Sequence, residues 1–360
     1  MTALFDSIEI GKLSLANRVV MAPLTRNRAG QGHVPQQIAA DYYGQRASVG
    51  LIITEGTQPS AVGQGYLDTP GMHSDEQVEG WRRVTDAVHA RDGRIVVQLM
   101  HVGRIAHPDN KDGLETVAPS AIAAPGQIVT ATGEQDFPTP RALETDEIAG
   151  VVAEYAHAAR QAIAAGLDGV EVHAANGYLV HQFLAPSSNQ RTDGYGGTPA
   201  NRARFGIEVV RAVADAIGPE RVGIRISPAH NIQGVIEDDP TDVAATYGEL
   251  VDGIAPLGLA YLSYLADPTA ELTRDLRQRF GGPVIGNNGF SSVTTKAAAQ
   301  QILDNGDADL VAVGRLAIAN PDLVERWESD ADLNEPNSAT FYGGGAEGYT
   351  DYPALDPSAR

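Results

Sequence analysis

Two hydrophobic periods take turns along this chain. Short apolar runs such as Gly50–Thr54 (GLIIT) have no polar face, which suits strands covered on both sides. Longer segments such as Asp75–Arg91 and Asn201–Ile217 repeat apolar residues three or four apart, the spacing of one helical face. Strands are predicted at Asn17–Pro23, Gly50–Thr54, Arg94–Met100, Gly169–His173, Arg221–Ser227, Leu259–Tyr264, Pro283–Gly286 and Ala308–Val313. Helices are predicted at Gln36–Ala47, Asp75–Arg91, Asp146–Ala165, Asn201–Ile217, Thr241–Ile254, Thr269–Phe280 and Ser292–Asp304, with a last one from Pro321 to Trp327. Ahead of them, Ile8–Leu15 reads as a small hairpin turning at Gly11.

A helix after every strand implies parallel pairing. Eight such units in 360 residues favour the α/β class and a closed (β/α)8 TIM barrel as a single domain, 1–360. An open doubly wound sheet is the alternative. Two connections are longer than ordinary loops between strand and helix. His101–Ala142 is an inserted excursion after the third strand, and Asn176–Ala200 follows the fourth. Both leave the C-terminal face, where barrel enzymes build their sites. The tail 329–360, which contains FYGGGAEGYTDYP, is expected near that site.

Composition narrows the chemistry. There is no cysteine, which excludes disulfides, iron–sulfur clusters, thiol nucleophiles and cysteine-ligated zinc. A net charge of -20 disfavours nucleic acid and anionic membranes as partners. No apolar run reaches the roughly 20 residues that span a bilayer. The start, MTALFDSIEI, lacks the basic and apolar regions of a secretory signal, so a cytoplasmic protein is expected. The three lysines, Lys12, Lys111 and Lys296, stand at no strand end, which argues against a Schiff-base barrel.

The polar and glycine residues at strand ends are the informative set: Pro23 and Thr25, Gly56, Gln98, His173 and Asn176, Arg225, Asn288 and Gly289, Gly314 and Arg315. GNNGF (Gly286–Phe290) and Gly314-Arg315 read as glycine turns just before helices, where backbone N–H groups and an arginine fork bind phosphate. His173 and Asn176 can present two donors to one oxygen on which negative charge develops. Tyr178 adds an O–H suited to proton transfer. Glu171 shares the parity of His173 one layer deeper; it reads as structural, with Arg94 or Arg221 as expected partners. Gly343-x-Gly345-x-x-Gly348 follows no strand and opens no helix, so it is discounted as a dinucleotide motif. The pairs His101/His107 and His173/His181 lack zinc-ligand spacing, and no metal is expected.

With those residues assembled, the chain resembles Old Yellow Enzyme, the family of FMN-dependent ene-reductases, especially its bacterial N-ethylmaleimide and nitrate-ester reductase branch. The matching segments are NRVVMAPLTR, QLMHVGR, VEVHAANGYLVHQFLAPSSNQRTDGYGG, NRARF, VGIRISP, VAVGR, ANPDL and FYGGGAEGYTDYP, which together cover nearly the whole chain. The resemblance implies that Ala22, Pro23, Leu24 and Thr25 line the isoalloxazine and that Gly56 lets the flavin approach the backbone. It assigns Gln98 and Arg225 to the pyrimidine edge, and Asn288, Gly289, Gly314 and Arg315 to the phosphate. It assigns His173 and Asn176 to the substrate oxygen and Tyr178 to protonation, and it places Tyr66, Met100 and Tyr342 around the substrate. The implied reaction is ping-pong. NADPH or NADH reduces FMN, which then reduces an activated alkene such as an α,β-unsaturated carbonyl, a maleimide or a nitroalkene. A monomer or homodimer is expected.

Three positions depart from the pattern: Met100 stands where tryptophan is frequent, Asn288 where glycine is, and Asn176 in place of a second histidine. The competing readings are a metal-dependent barrel hydrolase or lyase, and a flavin-binding protein without turnover.

Overall fold

The computed structural model describes residues 3–290 and 292–355; residues 356–360, the end of the expected tail, lie outside the described residues, as do residues 1 and 2. Eight parallel strands close into a barrel. They are β1 (Val19–Met21), β2 (Leu51–Thr57), β3 (Ile95–Leu99), β4 (Gly169–Ala174), β5 (Val222–Ile226), β6 (Tyr261–Leu265), β7 (Val284–Asn287) and β8 (Leu310–Val313). The helices around them are α1 (Gln37–Gln45), α2 (Asp75–His89), α3 (Ile148–Ala164), α4 (Pro199–Ile217), α5 (Pro240–Ile254), α6 (Glu271–Phe280), α7 (Lys296–Asp304) and α8 (Leu323–Glu328). Capping residues set several starts. Ser74 and Gln77 form a reciprocal capping box at α2, and Asp239 with Pro240 opens α5.

Two apolar layers hold the barrel. The outer one lies between strands and helices. The inner one joins Val20, Ile53, Val96, Ile285 and Leu310 to Ile10, Leu13 and Leu15 of the N-terminal hairpin. That hairpin pairs Ile8–Ile10 with Leu13–Leu15 through Gly11, whose φ is +56°. A Cβ at Gly11 would stand 2.2 Å from the Glu220 carbonyl oxygen at the N-terminal end of β5, so the turn requires glycine. The inner core therefore fills the N-terminal end of the barrel and leaves the opposite end to polar side chains.

Strand register sorts those polar side chains into layers. Glu171 on β4 faces Gln98 on β3 and Gly223 on β5, and Gly223 faces Tyr261 on β6. One layer nearer the mouth, His173 faces Arg225, which faces Ser263. The β2 ladder shifts between Ile53 and Gly56, bringing Gly56 opposite Gln98. This strand runs three residues past its predicted end at Thr54. Glu55 is tolerated there because Arg26 N–H donates to its carboxylate at 3.0 Å and the Tyr43 hydroxyl lies 3.4 Å away.

The long connections hold more structure than their composition suggested. The excursion contains an antiparallel hairpin, Gln127–Thr130 with Gly133–Asp136, and a short parallel pair, Val117–Ala118 with Arg141–Ala142. Helix Leu179–Leu184 interrupts the connection after β4. The tail is strapped to the barrel by arginines. Arg26 donates to the Phe341 and Gly348 carbonyls, Arg28 to those of Thr340 and Gly345, and Arg46 to those of Ala317 and Tyr349. Those hydrogen bonds take up carbonyls of the Gly343–Gly348 segment, which forms turns.

One buried histidine at the root of the excursion makes stability depend on pH. His101 is 1% exposed; its Nδ1 accepts from Gly103 N–H, and its Nε2 has no partner. Burial, with the nearby Lys111 charge adding to it, lowers its pKa to about 3. The folded value lies below the unfolded one, so the unfolded chain takes the proton first. Stability from this group is present above pH ~6.5 and is lost as pH falls, by about 1.4 kcal/mol per unit. His101→Asn keeps an acceptor for Gly103 and cannot titrate. It is expected to remove about 1.4 kcal/mol of the stability loss between pH 7.5 and 5.5, measured as urea midpoints; an unchanged loss would show that His101 is not its source.

Candidate active site

At the mouth of the barrel, β4 ends in a sharply turned backbone. Asn176 and Gly177 are consecutive left-handed residues, at φ +58° and +81°. Asparagine tolerates that conformation, and Gly177 is needed because a Cβ would meet Gln233 and the Ile232 carbonyl at 2.9 Å. The turn is held from β5 and the loop after it. Asn176 N–H donates to Ser227 Oγ at 2.9 Å, and Gln233 Nε2 donates to the Asn176 carbonyl at 2.8 Å. Behind it, Gly177 N–H donates to His181 Nδ1, and the other nitrogen of His181 lies 3.2 Å from Glu237 without ordinary hydrogen-bond geometry.

His173 and Tyr178 meet over this turn, with ring centroids 5.2 Å apart. His173 is 3% exposed, and its Nδ1 has no partner. Burial, then the Arg225 and His181 charges, push its pKa well below the ordinary value, so the ring is neutral at physiological pH. The Oδ1 of Asn176 is also buried without a partner. The Tyr178 hydroxyl lies 3.0 Å from that of Tyr66, whose ring packs edge-on at 6.4 Å. Tyr66 reaches on to Gln233 Oε1 at 3.5 Å. Burial raises the Tyr178 pKa, which keeps the phenol protonated and a donor.

Above these groups opens a cavity of about 700 Å³. Thr25, Tyr66, Tyr178 and Gln233 form its polar side; Ile128 and Val129 of the excursion hairpin, Phe137 and Tyr342 form its apolar side. A second cavity, about 80 Å³, lies toward β7 and β8 and is lined by Pro23, Leu24, Arg225, Asn287, Gly289, Gly314 and Arg315 among others. The segment 22–25 runs along both, with Ala22, Pro23 and Leu24 on the small one and Thr25 on the large one.

Several expectations need correction. Glu171 is partnered neither by Arg94 nor by Arg221, whose positions precede the strands at the N-terminal side. Gln98 Nε2 donates to its Oε1 at 2.7 Å, and Arg225 is the nearby cation that acts on its charge. GNNGF does not lead straight into a helix, because α7 starts at Lys296, where Thr295 supplies the N-cap oxygen, and not at Ser292. Gly314 does lead straight into a short helix, Arg315–Ala319. The space over Gly56 is taken by Met100, since a Cβ at Gly56 would lie 2.5 Å from the thioether. Met100 shares the inward parity of Gln98 and packs with Tyr178, Val102 and Ile105.

The residues around the two cavities fit a planar polar ring carrying an anionic tail. Arg225 Nε, His173 Nδ1, Asn176 Oδ1 and Asn288 Oδ1 are buried polar atoms without a protein partner, all at the barrel mouth, and such atoms are costly unless a ligand or water meets them. Arg315 borders the small cavity with one nitrogen on the Phe290 carbonyl at 2.7 Å, beside the left-handed Gly289 at φ +98°. That is a cation beside a glycine turn, at the end suited to phosphate. Among the described residues no three His, Asp or Glu side chains come together as metal ligands would.

Sequence reasoning missed Ser227, Gln233 and Asn287. Asn287 was accessible from strand parity, since Ile285 is an inner-core residue two positions before it. Its side chain shapes the turn, donating to the Ala312 carbonyl at 3.1 Å and accepting from Gly289 N–H at 3.1 Å. Gln233 lies in a loop without periodicity and gave no signal.

The chain has relatives among known proteins. Residues 3–334 match the model of the NADH:flavin oxidoreductase / NADH oxidase family. The chain is 44% identical to a probable flavin mononucleotide-dependent alkene reductase of Leishmania infantum, over 96% of each chain. Among solved structures it is similar to morphinone reductase in complex with tetrahydroNAD, with a TM-score of 0.93, 48% identity and coverage of 100% of this chain and 99% of that one. It is similar as well to the Old Yellow Enzyme homologue of Zymomonas mobilis, with a TM-score of 0.93, 41% identity and coverage of 98% and 100%. The chain belongs to the NADH:flavin oxidoreductase / NADH oxidase family, among the Old Yellow Enzymes, and is an FMN-dependent oxidoreductase.

Proposed function

We propose that this protein reduces the C=C bond of activated alkenes, with His173 and Asn176 holding the activating oxygen and Tyr178 supplying a proton. When bound, FMN supplies a two-electron hydride carrier that takes hydride from NADPH or NADH and gives it to the β-carbon of the alkene. The chain supplies placement and charge. The neutral His173 ring and the Asn176 amide donate to the carbonyl or nitro oxygen, where negative charge builds as hydride arrives. Tyr178 holds its proton at the hydroxyl, 3.0 Å from Tyr66, and delivers it to the α-carbon. Pro23 to Thr25, Arg225, Gly289, Gly314 and Arg315, which line the cavities, would hold the cofactor together with Gln98 and Asn288: the first segment against the flat ring, Gln98 and Arg225 at its pyrimidine edge, and Asn288, Gly289, Gly314 and Arg315 at the phosphate. The apolar wall of the 700 Å³ cavity, with Tyr66, Met100 and Tyr342, receives the rest of the substrate and excludes water.

The observation that carries this reading is the meeting of a buried, neutral His173, its Nδ1 unpartnered, with the protonated Tyr178 that lines the large cavity. The same reading takes the enzyme as cytoplasmic and as a monomer or homodimer; no helix among the described residues is long and apolar enough to cross a membrane. The purified protein is expected to carry one FMN per chain and to bleach anaerobically with NADPH or NADH. A colourless protein that cannot be reconstituted with FMN would sink the proposal.

A further inference from the structure

We propose that Glu171 is a positioning residue for the flavin site, fixing the orientation of Gln98 and acting as the counter-charge to Arg225 from one layer below. The inference rests on the FMN reading above and concerns how strongly the site holds electrons.

Glu171 is 0% exposed and lies under the mouth, away from any substrate cavity. Its Oε1 takes the Gln98 amide N–H at 2.7 Å. With the amide nitrogen tied down, the Gln98 oxygen is the end left to meet an N–H above it. Arg225 is also buried, yet its protein hydrogen bond goes to the neutral Ser263 Oγ at 3.2 Å, and its Nε has no partner. Register places Arg225 opposite His173, one layer above Glu171. Burial raises the Glu171 pKa, while the Arg225 charge and the Gln98 N–H act to lower it; as a carboxylate it offsets the guanidinium charge without taking up its donors, which stay available at the mouth.

The strand between them is shaped for this arrangement. Gly223 faces Glu171, and a Cβ there would lie 2.2 Å from the Tyr261 ring. The missing side chain lets the Tyr261 phenol lie across β5. It comes near enough to act on the Glu171 charge, although neither its hydroxyl nor Glu171 Oε2 closes an ordinary hydrogen bond. A buried charge in so dry a setting acts over a longer range than at a surface. Arg225 alone favours the added negative charge of a reduced ring; Glu171 beneath it opposes that charge.

Glu171→Gln keeps the shape and removes the charge. Potentiometric titration of the FMN-loaded protein is expected to show a more positive two-electron potential, with the reduction equilibrium shifted about tenfold, or ~30 mV. Tyr261→Phe, which withdraws a phenol that favours the ionised carboxylate, is expected to shift the potential in the same direction by less, and it carries the test if Glu171→Gln does not fold. An unchanged or more negative potential in an FMN-retaining variant overturns the proposal. Failure of the wild-type protein to bind FMN would overturn the flavin reading, an outcome distinct from a null result in the variants.

Discussion

His173→Ala is expected to lower kcat/KM for an enone by about 10²–10³-fold, the usual cost of removing one donor from a developing oxyanion, with FMN content unchanged. His173 does no other visible work. Its Nδ1 has no protein partner, and its nearest ring contact is Tyr178 at 5.2 Å. Truncation leaves Asn176 as the remaining donor, so the double variant should lose less than the product of the two single losses. Because burial holds His173 neutral and Asn176 does not titrate, KM should stay flat between pH 6 and 8. The check is anaerobic mixing of prereduced enzyme with enone across that range. A KM transition near pH 6–7 that disappears in His173→Ala would contradict the assignment.

Arg26→Ala is expected to destabilise the fold by about 3–5 kcal/mol, since hydrogen bonds from a charged group contribute about 1.5–3 kcal/mol each and two are lost. Arg26 is 0% exposed. Its Nε and Nη2 donate to the Phe341 and Gly348 carbonyls, both at 2.9 Å, and its guanidinium lies 4.9 Å from the ring centroids of both Tyr42 and Tyr349. Truncation strips donors from two tail carbonyls and removes the nearby positive charge from the buried Glu55. Tm should fall by on the order of 5–10 °C, and the tail should become sensitive to limited proteolysis. Tyr342, next to Phe341 and lining the large cavity, would lose its placement, so KM should rise as well. Arg26→Lys should not rescue, because one ammonium cannot reproduce the planar fork and its stacking. A wild-type melting curve would show that the strap does not hold the tail.

Strand–helix alternation made the barrel legible, since strands covered on both faces read as apolar runs and each helix shows one apolar stripe. Strand ends were legible for the same reason: parity from Val172 and Ile224 aims His173 and Arg225 to the inside. Legibility stopped where geometry depends on contacts distant in sequence. Nothing near Glu171 announces that Gln98, 73 residues earlier, is its partner. The β-branched run Ile128–Thr130 before Gly133 carried a hairpin signal, obscured by the proline- and glycine-rich residues around it. The start of α7 was placed too early because the polar residues after GNNGF read as a first helical turn, whereas Thr295 supplies the cap. The roles of Arg26, Arg28 and Arg46 were hidden because backbone carbonyls of a remote tail leave no trace in the sequence around an arginine.

A single turnover tests the central claim most directly. The FMN-loaded protein is reduced without oxygen using one equivalent of NADPH or NADH, freed of nicotinamide, and mixed with 2-cyclohexenone. Expected is full return of the oxidised flavin absorbance with one equivalent of saturated ketone per FMN, slowed ~10²–10³-fold by His173→Ala. Flavin that stays reduced until oxygen is admitted, with no ketone formed, would contradict it.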